Sequence, residues 1–410
     1  MRLFLLEMKR LLKTRRTLFM ICGLLAFTVF MAYMPTTYLM SHTSDGDTLT
    51  GLDALAYDKT LEAGIAGTVT PEKVRDSLET YQAVFARYGA DSTFDLPDDA
   101  YAEINAVQSL LNGVGDLFPA ENGQPMPWLT LDPERIADYY DAAPARISGL
   151  MAMEYPNDAA PAAYFLDLYS TVETPFTYVP GTDTTTLEYM MLLALVLLLC
   201  CAVLAAPVFT ADLQSGADDI NRCTKRGRAP LAVARVLAVF LICGGLSAVC
   251  LSLYWIISDS LYGWETLATS AQMLGLFSPV TPLPFNFGEL QIVLALLALL
   301  SILASLSAIL LISARMKNLV AATFSALLLC VLPILTYAIL PRSVVDWLNT
   351  FLPSSGIALQ PGTLYALRDF HLLRLGDFLC WTPIAMTIVS AIELPIFAVL
   401  AIVSHVRRCA

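Results

Sequence analysis

Several residues and motifs that would point to an enzyme or to a disulfide-bonded domain are scarce or missing. The 410 residues include three histidines, His42, His371 and His405, which lie far apart, and no H-E-x-x-H metal motif. No G-x-x-x-x-G-K-[ST] sequence occurs, which excludes ATP binding through a P-loop of this chain. None of the nine cysteines falls between Ser41 and Thr186, which excludes a disulfide framework in that segment.

Charge is missing from several long stretches of the chain. The composition is 57% hydrophobic and the mean hydropathy is +0.63, too apolar for an ordinary soluble domain. A bilayer core about 30 Å thick is crossed by a helix of roughly 20 apolar residues. Six windows meet that length: Leu18–Met40, Tyr189–Ala211, Val236–Ser258, Leu290–Ala314, Asn318–Pro341 and Phe378–Val406. We therefore predict an all-α polytopic membrane protein with six transmembrane helices and both termini on one side.

The positive charges predict which side that is. Four short segments, 1–17, 212–235, 315–317 and 405–410, hold fifteen of the 24 Lys and Arg residues. Short loops rich in Lys and Arg lie on the cytoplasmic side of a membrane. The sequence thus predicts cytoplasmic termini and an extracellular segment 41–186 between the first and second spans.

Segment 41–186 differs in charge from the rest of the chain. It carries 24 acidic and 6 basic residues, so its net charge is −18 although the whole chain carries −12. Its length suffices for a domain with its own core. We expect a mostly helical domain without a catalytic constellation. Its predicted helices run from Thr70-Pro71 to Gly89, from Pro97 to Leu111, from Asp132-Pro133 onward and near Ala160–Val172.

Two further segments have helical amphipathic patterns. Residues 1–17 read as an interfacial helix before the first transmembrane helix at 18–40, because apolar and basic side chains fall on opposite faces. The alternative is a plain positively charged flank of that first span. Residues 342–377 are too polar to span and predict two short helices in the outer headgroup layer, the second from Thr363 to Leu375.

The polar loop 212–235 lies between two long apolar runs of the five-helix region 187–410. Asp212 and Gly216 are one turn apart at the end of a helix, and Gly216 and Gly227 permit sharp bends. Residues Ala217–Cys223, between these two glycines, can form a short helix. Such a helix would present Ile220 to a groove of a partner and Arg222 to acidic groups. This pattern favours a cytoplasmic hairpin that receives a soluble partner; the alternative is a solvated basic loop.

The hairpin and the architecture resemble the permease subunits of bacterial ABC exporters of the type-2 class, which includes antibiotic-export and bacteriocin-immunity permeases. The resemblance covers the order of the elements over nearly the full chain. Its sharper part is an acid, a Gly four residues later, a Thr-x-x-Gly-Arg-like turn and a base where the third span begins. Here these are Asp212, Gly216, Thr224–Arg228 and Arg235. This chain has Asp where Glu is common, and its turn, Thr-Lys-Arg-Gly-Arg, is one residue longer.

The resemblance implies a transport subunit of a bacterial cell membrane that has no enzymatic activity and binds no cofactor. ATP and Mg²⁺ would be bound by a separate ATPase subunit, and two six-span chains would pair as a homodimer or heterodimer. The residues implied to couple to the ATPase are Asp212, Gly216, Ile220, Arg222, Thr224, Lys225, Gly227 and Arg228. No basic face with interleaved aromatics suggests nucleic-acid binding.

Other functions stay open at this point. A sensor or scaffold whose acidic extracellular domain binds a ligand would need the same parts. An intramembrane or outer-surface enzyme has less support, since no nucleophile and base are paired. Glu393 lies midway along the last predicted span, where an ionisable group is a candidate for a substrate path. Its alternative is a tolerated acid, neutral or paired within the bundle.

Overall fold

The computed structural model describes residues 2–43, 45–224, 228–376 and 378–407, except for the side chains of Arg222 and Ser343. Its helices in the first half are α1 (Arg2–Leu12), α2 (Arg15–Tyr33), α3 (Gly51–Leu61), α4 (Pro71–Tyr88), α5 (Asp98–Asn105), α6 (Val114–Leu117), α7 (Ala142–Glu154), α8 (Ala160–Tyr169) and α9 (Thr185–Ala205). Those in the second half are α10 (Pro207–Ser215), α11 (Ala217–Arg222), α12 (Ala229–Val239), α13 (Gly245–Tyr262), α14 (Phe287–Arg315), α15 (Leu319–Ile339), α16 (Arg342–Thr350), α17 (Thr363–Ala366) and α18 (Thr382–Arg407).

Short strands form three antiparallel pairs between these helices. The strands are β1 (Met40–His42), β2 (Thr48–Thr50), β3 (Gly67–Thr68), β4 (Thr177–Tyr178), β5 (Leu372–Leu375) and β6 (Phe378–Trp381). They pair as β1 with β2, β3 with β4, and β5 with β6. The structure is therefore mostly helical, with ribbons of two strands only among the described residues.

Six helical segments are long and apolar enough to cross a membrane, which confirms the predicted number. They are Arg15–Tyr38, Thr185–Ser215, Ala229–Tyr262, Phe287–Arg315, Leu319–Ile339 and Thr382–Arg407. The third contains one π-helical turn, Phe240–Gly244, between α12 and α13. The second includes the whole of α10, so the helix continues past the predicted end at Ala211 and carries Asp212 within it.

The chain divides into two compact units. The first comprises Met1–Ala32, Leu187–Ile256 and Val293–Ala410, and the second comprises Tyr33–Thr186 and Ile257–Ile292. The predicted domain 41–186 lies in the second unit, which also recruits the proline-containing segment before α14. That segment contributes to the same core: Tyr169 donates a hydrogen bond to the carbonyl of Pro279, and Asn112 donates one to the carbonyl of Leu274.

Local sequence signals place the longest helix of the second unit. The Thr70 hydroxyl caps α4 by accepting a hydrogen bond from the Lys73 amide, and Gly89 ends the helix with a φ of 61°. Val74, Leu78 and Val84 on one face of α4 are fully buried, as their helical spacing predicts.

Two other predicted helices of this unit are shorter or tighter than expected. The helix predicted over Pro97–Leu111 ends as α5 at Asn105, and a 3₁₀ turn then buries both Leu110 and Leu111. The segment after Asp132-Pro133 is a 3₁₀ helix rather than an α-helix.

One prediction in the first unit is wrong. The amphipathic helix expected over Thr363–Leu375 is only a single turn, α17, and Leu372–Leu375 is strand β5 instead. Gly376, with a φ of 64°, begins the turn that brings β6 back beside β5. Cross-strand pairing overrides the helical rhythm of the leucines, and the last span therefore begins at Thr382 rather than Phe378. The other expected short helix is confirmed as α16.

Candidate functional site

A cluster of four charged side chains joins the N-terminal helix to the hairpin. Nη2 of Arg10 in α1 donates a hydrogen bond to Oδ1 of Asp212 at 3.0 Å. Arg235 in α12 donates through Nη2 to Oδ2 of the same carboxylate. Glu7, one turn before Arg10, lies 3.5 Å from Nη1 of Arg10 and 3.7 Å from Nε of Arg235. Two carboxylates thus alternate with two guanidiniums, and the cluster is neutral overall.

Burial differs sharply within this cluster. The side chain of Arg235 is 1% exposed and that of Asp212 is 11% exposed, whereas that of Arg10 is 46% exposed. The Arg235 guanidinium also lies over the Phe209 ring, with Cζ 5.7 Å from the ring centroid. The stability of a buried ion pair depends strongly on its geometry, because either charge without its partner would be buried and uncompensated. Asp212 and Arg235 therefore hold α10 and α12 in a fixed relation.

A second buried contact joins the hairpin to the end of the last span. Nε2 of His405 in α18 lies 3.8 Å from Oδ1 of Asp218 in α11, and both side chains are buried. The His405 ring also lies against Phe209, with ring centroids 4.9 Å apart. Phe209 therefore contacts both Arg235 and His405, so the hairpin, α12 and α18 share one packed centre.

Hydrogen bonds also connect α10 and the residue before it, Ala206, to α14 and α15. Ser313 in α14 donates to the carbonyl of Ala206, and its own carbonyl accepts from the Thr210 hydroxyl at 2.9 Å. The Gln214 carboxamide accepts from the amide of Leu319, the first residue of α15. Together α10 and α11 therefore contact α14 and α15 as well as α1, α12 and α18.

In the described part of the hairpin, one face is exposed to solvent. Gly216 turns the chain between α10 and α11 with a φ of +76°, in the left-handed region that favours glycine. The predicted short helix over Ala217–Cys223 is present as α11, and its Ile220 is 73% exposed. Thr224 and Arg228 are exposed too. Lys225, Gly227 and the side chain of Arg222 lie outside the described residues.

The sequence-predicted residues are therefore divided between two locations. Asp212 is inside the cluster and Ile220 is on the surface. Sequence reasoning missed four members of the site, Glu7, Arg10, Asp218 and His405. Each of them contacts a residue of the site that lies far away along the chain. The pairing of Glu7 and Arg10 one turn apart on α1 was the available signal for a charged helix face.

Glu393 is a separate case in the middle of α18. It is half-buried, and among the described residues its Oε2 is buried without a hydrogen-bond partner. Its helix neighbours Ile392 and Ile396 are exposed. The carboxyl group thus lies at the edge of an apolar helix surface rather than in the charged cluster.

Metal binding finds no support in the part of the chain that the structure describes, where no group of three or more His, Cys, Asp or Glu side chains could hold an ion. No protein-family model matches the chain, and no curated protein matches it.

Proposed function

We propose that this chain is the membrane-spanning permease subunit of an ATP-driven ABC exporter that works with a separate ATPase. The observation that carries the proposal is the division of the hairpin into two faces. One face is fixed through Asp212 and Asp218 to the ends of the surrounding helices, while the other presents Ile220 to solvent. This arrangement suits a coupling element that a soluble partner contacts on its exposed face.

The mechanism follows from the connections of the hairpin. A partner that closes on α11 moves Asp218, and with it the end of α18 through His405. The same motion reaches α1 and α12 through the carboxylate of Asp212. Because charged groups at these contacts are buried, small displacements are opposed strongly and the helix ends move together. Coupling of ATP hydrolysis to substrate movement requires such joint movement.

The partner would contribute apolar burial more than charge. Burying an exposed Ile side chain is worth roughly 1.5–3 kcal/mol, whereas an exposed ion pair is worth about 0–1 kcal/mol. Ile220 is therefore the proposed anchor of the ATPase groove, with Arg222, Thr224, Lys225, Gly227 and Arg228 at its rim. ATP and Mg²⁺ would be held by the ATPase subunit. Two chains, identical or similar, would complete the translocation path.

The proposed orientation has the hairpin and both termini in the cytoplasm of a bacterial cell and segment 41–186 outside. It is supported by the basic short loops and the acidic charge of that segment. Single cysteines at Ser92 and Ser215, in a variant without native cysteines, test it by labelling intact cells with an impermeant thiol reagent. Labelling at position 215 but not at 92 would invert the orientation.

The function itself is tested by purifying the tagged chain from its native membrane. The proposal expects an ATPase to copurify and its hydrolysis to rise when the exported substrate is added. Purification of the intact chain with a signalling protein and without any ATPase would favour a sensor or scaffold instead.

A further inference from the structure

A polar cavity lies at the end of the first unit opposite the charged cluster. It has a volume of about 270 Å³ and is formed by the end of α15, by α16, by the segment around α17 and by the beginning of α18. The far end of α18, at His405, instead contacts Asp218 in α11, on the side of the charged cluster. The volume falls just below the roughly 300–1,000 Å³ of pockets for drug-sized ligands, so the cavity suits a small polar group rather than a whole large molecule.

Charges of both signs line the cavity in equal number. Arg342 and Arg368 provide two guanidiniums, and Asp346 and Asp369 provide two carboxylates. Nε2 of His371 lies 3.9 Å from Oδ2 of Asp346. The pKa of Arg342 is raised, first by its hydrogen bond with Tyr337 and further by the charges of both aspartates. A cavity with this balance is matched by a ligand that carries one anionic and one cationic group.

One side chain in the wall of the cavity has a hydrogen-bond donor without a partner among the described residues. The Asn349 side chain is buried, with a relative exposure of 3%, and its Oδ1 accepts a hydrogen bond from the Thr336 hydroxyl. Its Nδ2 is buried and has no hydrogen-bond partner within the described ranges. A buried donor left unpaired is destabilising, so an acceptor supplied by a ligand would recover the lost hydrogen bond.

Helix α16, which carries Asn349, has polar side chains toward the cavity and exposed apolar side chains on its opposite face. At 100° per residue, Arg342, Asp346 and Asn349 share one face of α16, and that face lines the cavity. Val344 and Trp347 lie on the opposite face and are exposed, Trp347 by 57%. A helix whose polar groups line a cavity and whose opposite apolar groups are exposed suits contact with the acyl region of a bilayer rather than with water.

We propose that the cavity binds the zwitterionic headgroup of a membrane lipid, with its phosphate toward Arg342 and Arg368 and its primary ammonium toward Asp346 and Asp369. Arginine binds phosphate through paired, directed donors, and Nδ2 of Asn349 supplies a further donor to a phosphate oxygen. The acyl chains extend from the cavity into the bilayer that the exposed apolar face of α16 contacts. The inference does not depend on the proposed ATPase, because the binding needs neither nucleotide nor a second subunit.

Binding is measured by calorimetry on the full-length chain in non-ionic detergent. The probes are short-chain phosphatidylethanolamine, the matching phosphatidylglycerol and free phosphoethanolamine. We expect phosphatidylethanolamine to bind about tenfold more tightly than either of the others. Equal affinity for phosphatidylglycerol would overturn the zwitterionic match, and equal affinity for free phosphoethanolamine would overturn the lipid as the source.

Two variants separate the roles of the charges. Arg368→Gln is expected to weaken phosphatidylethanolamine binding about tenfold, the effect of one lost hydrogen bond to a charged group. Asp369→Asn leaves the cavity with excess positive charge and is expected to reverse the preference in favour of phosphatidylglycerol. The matched control, Arg374→Gln, changes a nearby guanidinium that does not line the cavity and leaves binding unchanged. If both cavity variants behave like this control, the assignment of the cavity is wrong.

Discussion

Arg235 in α12 and Asp212 in α10 form a buried ion pair between the two helices that flank α11. Positions 213–234, which lie between them, include α11 and its exposed Ile220. The pair connects α10 and α12 where the hairpin begins and ends. In the proposed coupling element, a partner that moves α11 would therefore move these two helices together.

The first prediction removes the charge of this carboxylate. Asp212→Asn leaves Arg235 buried with Glu7 alone at 3.7 Å, so we expect a loss of about 3–5 kcal/mol in the free energy of unfolding. Thermal unfolding of the purified protein measures the loss. The matched control is Asp219→Asn, in which an exposed acid of the same hairpin is neutralised and stability changes little. Equal stability of the two variants would contradict a structural role for the pair.

The second prediction concerns the bend at Gly216. Within the described structure, no atom beyond the adjoining residues lies within 4 Å of a Cβ added there, so the positive φ is what opposes substitution. Gly216→Val is expected to cost about 1–3 kcal/mol and to lower hydrolysis coupled to transport, while Gly216→Asn, which tolerates the left-handed region, keeps both. A Val variant with full stability and full coupling would show that the bend is not required.

Some features of the fold follow from local sequence patterns, and others depend on contacts between distant residues. Thr70 and Gly89 fix the ends of α4 through local hydrogen bonding and backbone freedom. Five charge-free windows and a sixth whose single acid is Glu393 predict the six apolar helices. The Arg10–Asp212 contact joins residues 202 positions apart, so no local pattern predicts it. The cavity beside Asn349 likewise depends on four separate segments, and the strand β5 depends on a partner across a turn.

The third prediction addresses Glu393 in the last apolar helix. A carboxyl group with a buried, unpartnered oxygen within the described structure is costly, and we propose that it faces the substrate path. Glu393→Gln is expected to impair transport while expression, assembly and basal hydrolysis stay normal. Transport assays in membranes with matched protein levels decide the question. Unchanged transport would identify Glu393 as a tolerated acid.

The fourth prediction concerns Glu62 in the second unit. Burial raises the pKa of this carboxyl group above 4.5, although hydrogen bonds from Ser109 and Tyr178 oppose the shift. The folded protein therefore keeps the proton at a pH where the unfolded chain has released it. The stability that this group contributes is fully present below pH 4.5 and is lost as the pH rises through the folded pKa.

Comparison with Glu62→Gln, which cannot titrate, isolates this effect. We expect the stability of the natural protein relative to the variant to be higher near pH 4.5 than at neutral pH. Pulse proteolysis of the second unit in the full-length chain measures the difference. A relative stability that rises toward neutral pH would have the wrong sign for a buried carboxyl group with a raised pKa.

The most direct test of the account is copurification of an ATPase with the Ile220→Asp variant, together with its hydrolysis rate in membranes. The change places a charge on the proposed anchor, and losing the burial of one Ile weakens binding about tenfold or more. Phe94→Asp is the matched control, since Phe94 is 93% exposed in the other unit. The account predicts loss of the ATPase and of coupled hydrolysis with Ile220→Asp and retention of both with Phe94→Asp. Full ATPase binding and coupled hydrolysis in the Ile220→Asp variant would contradict it.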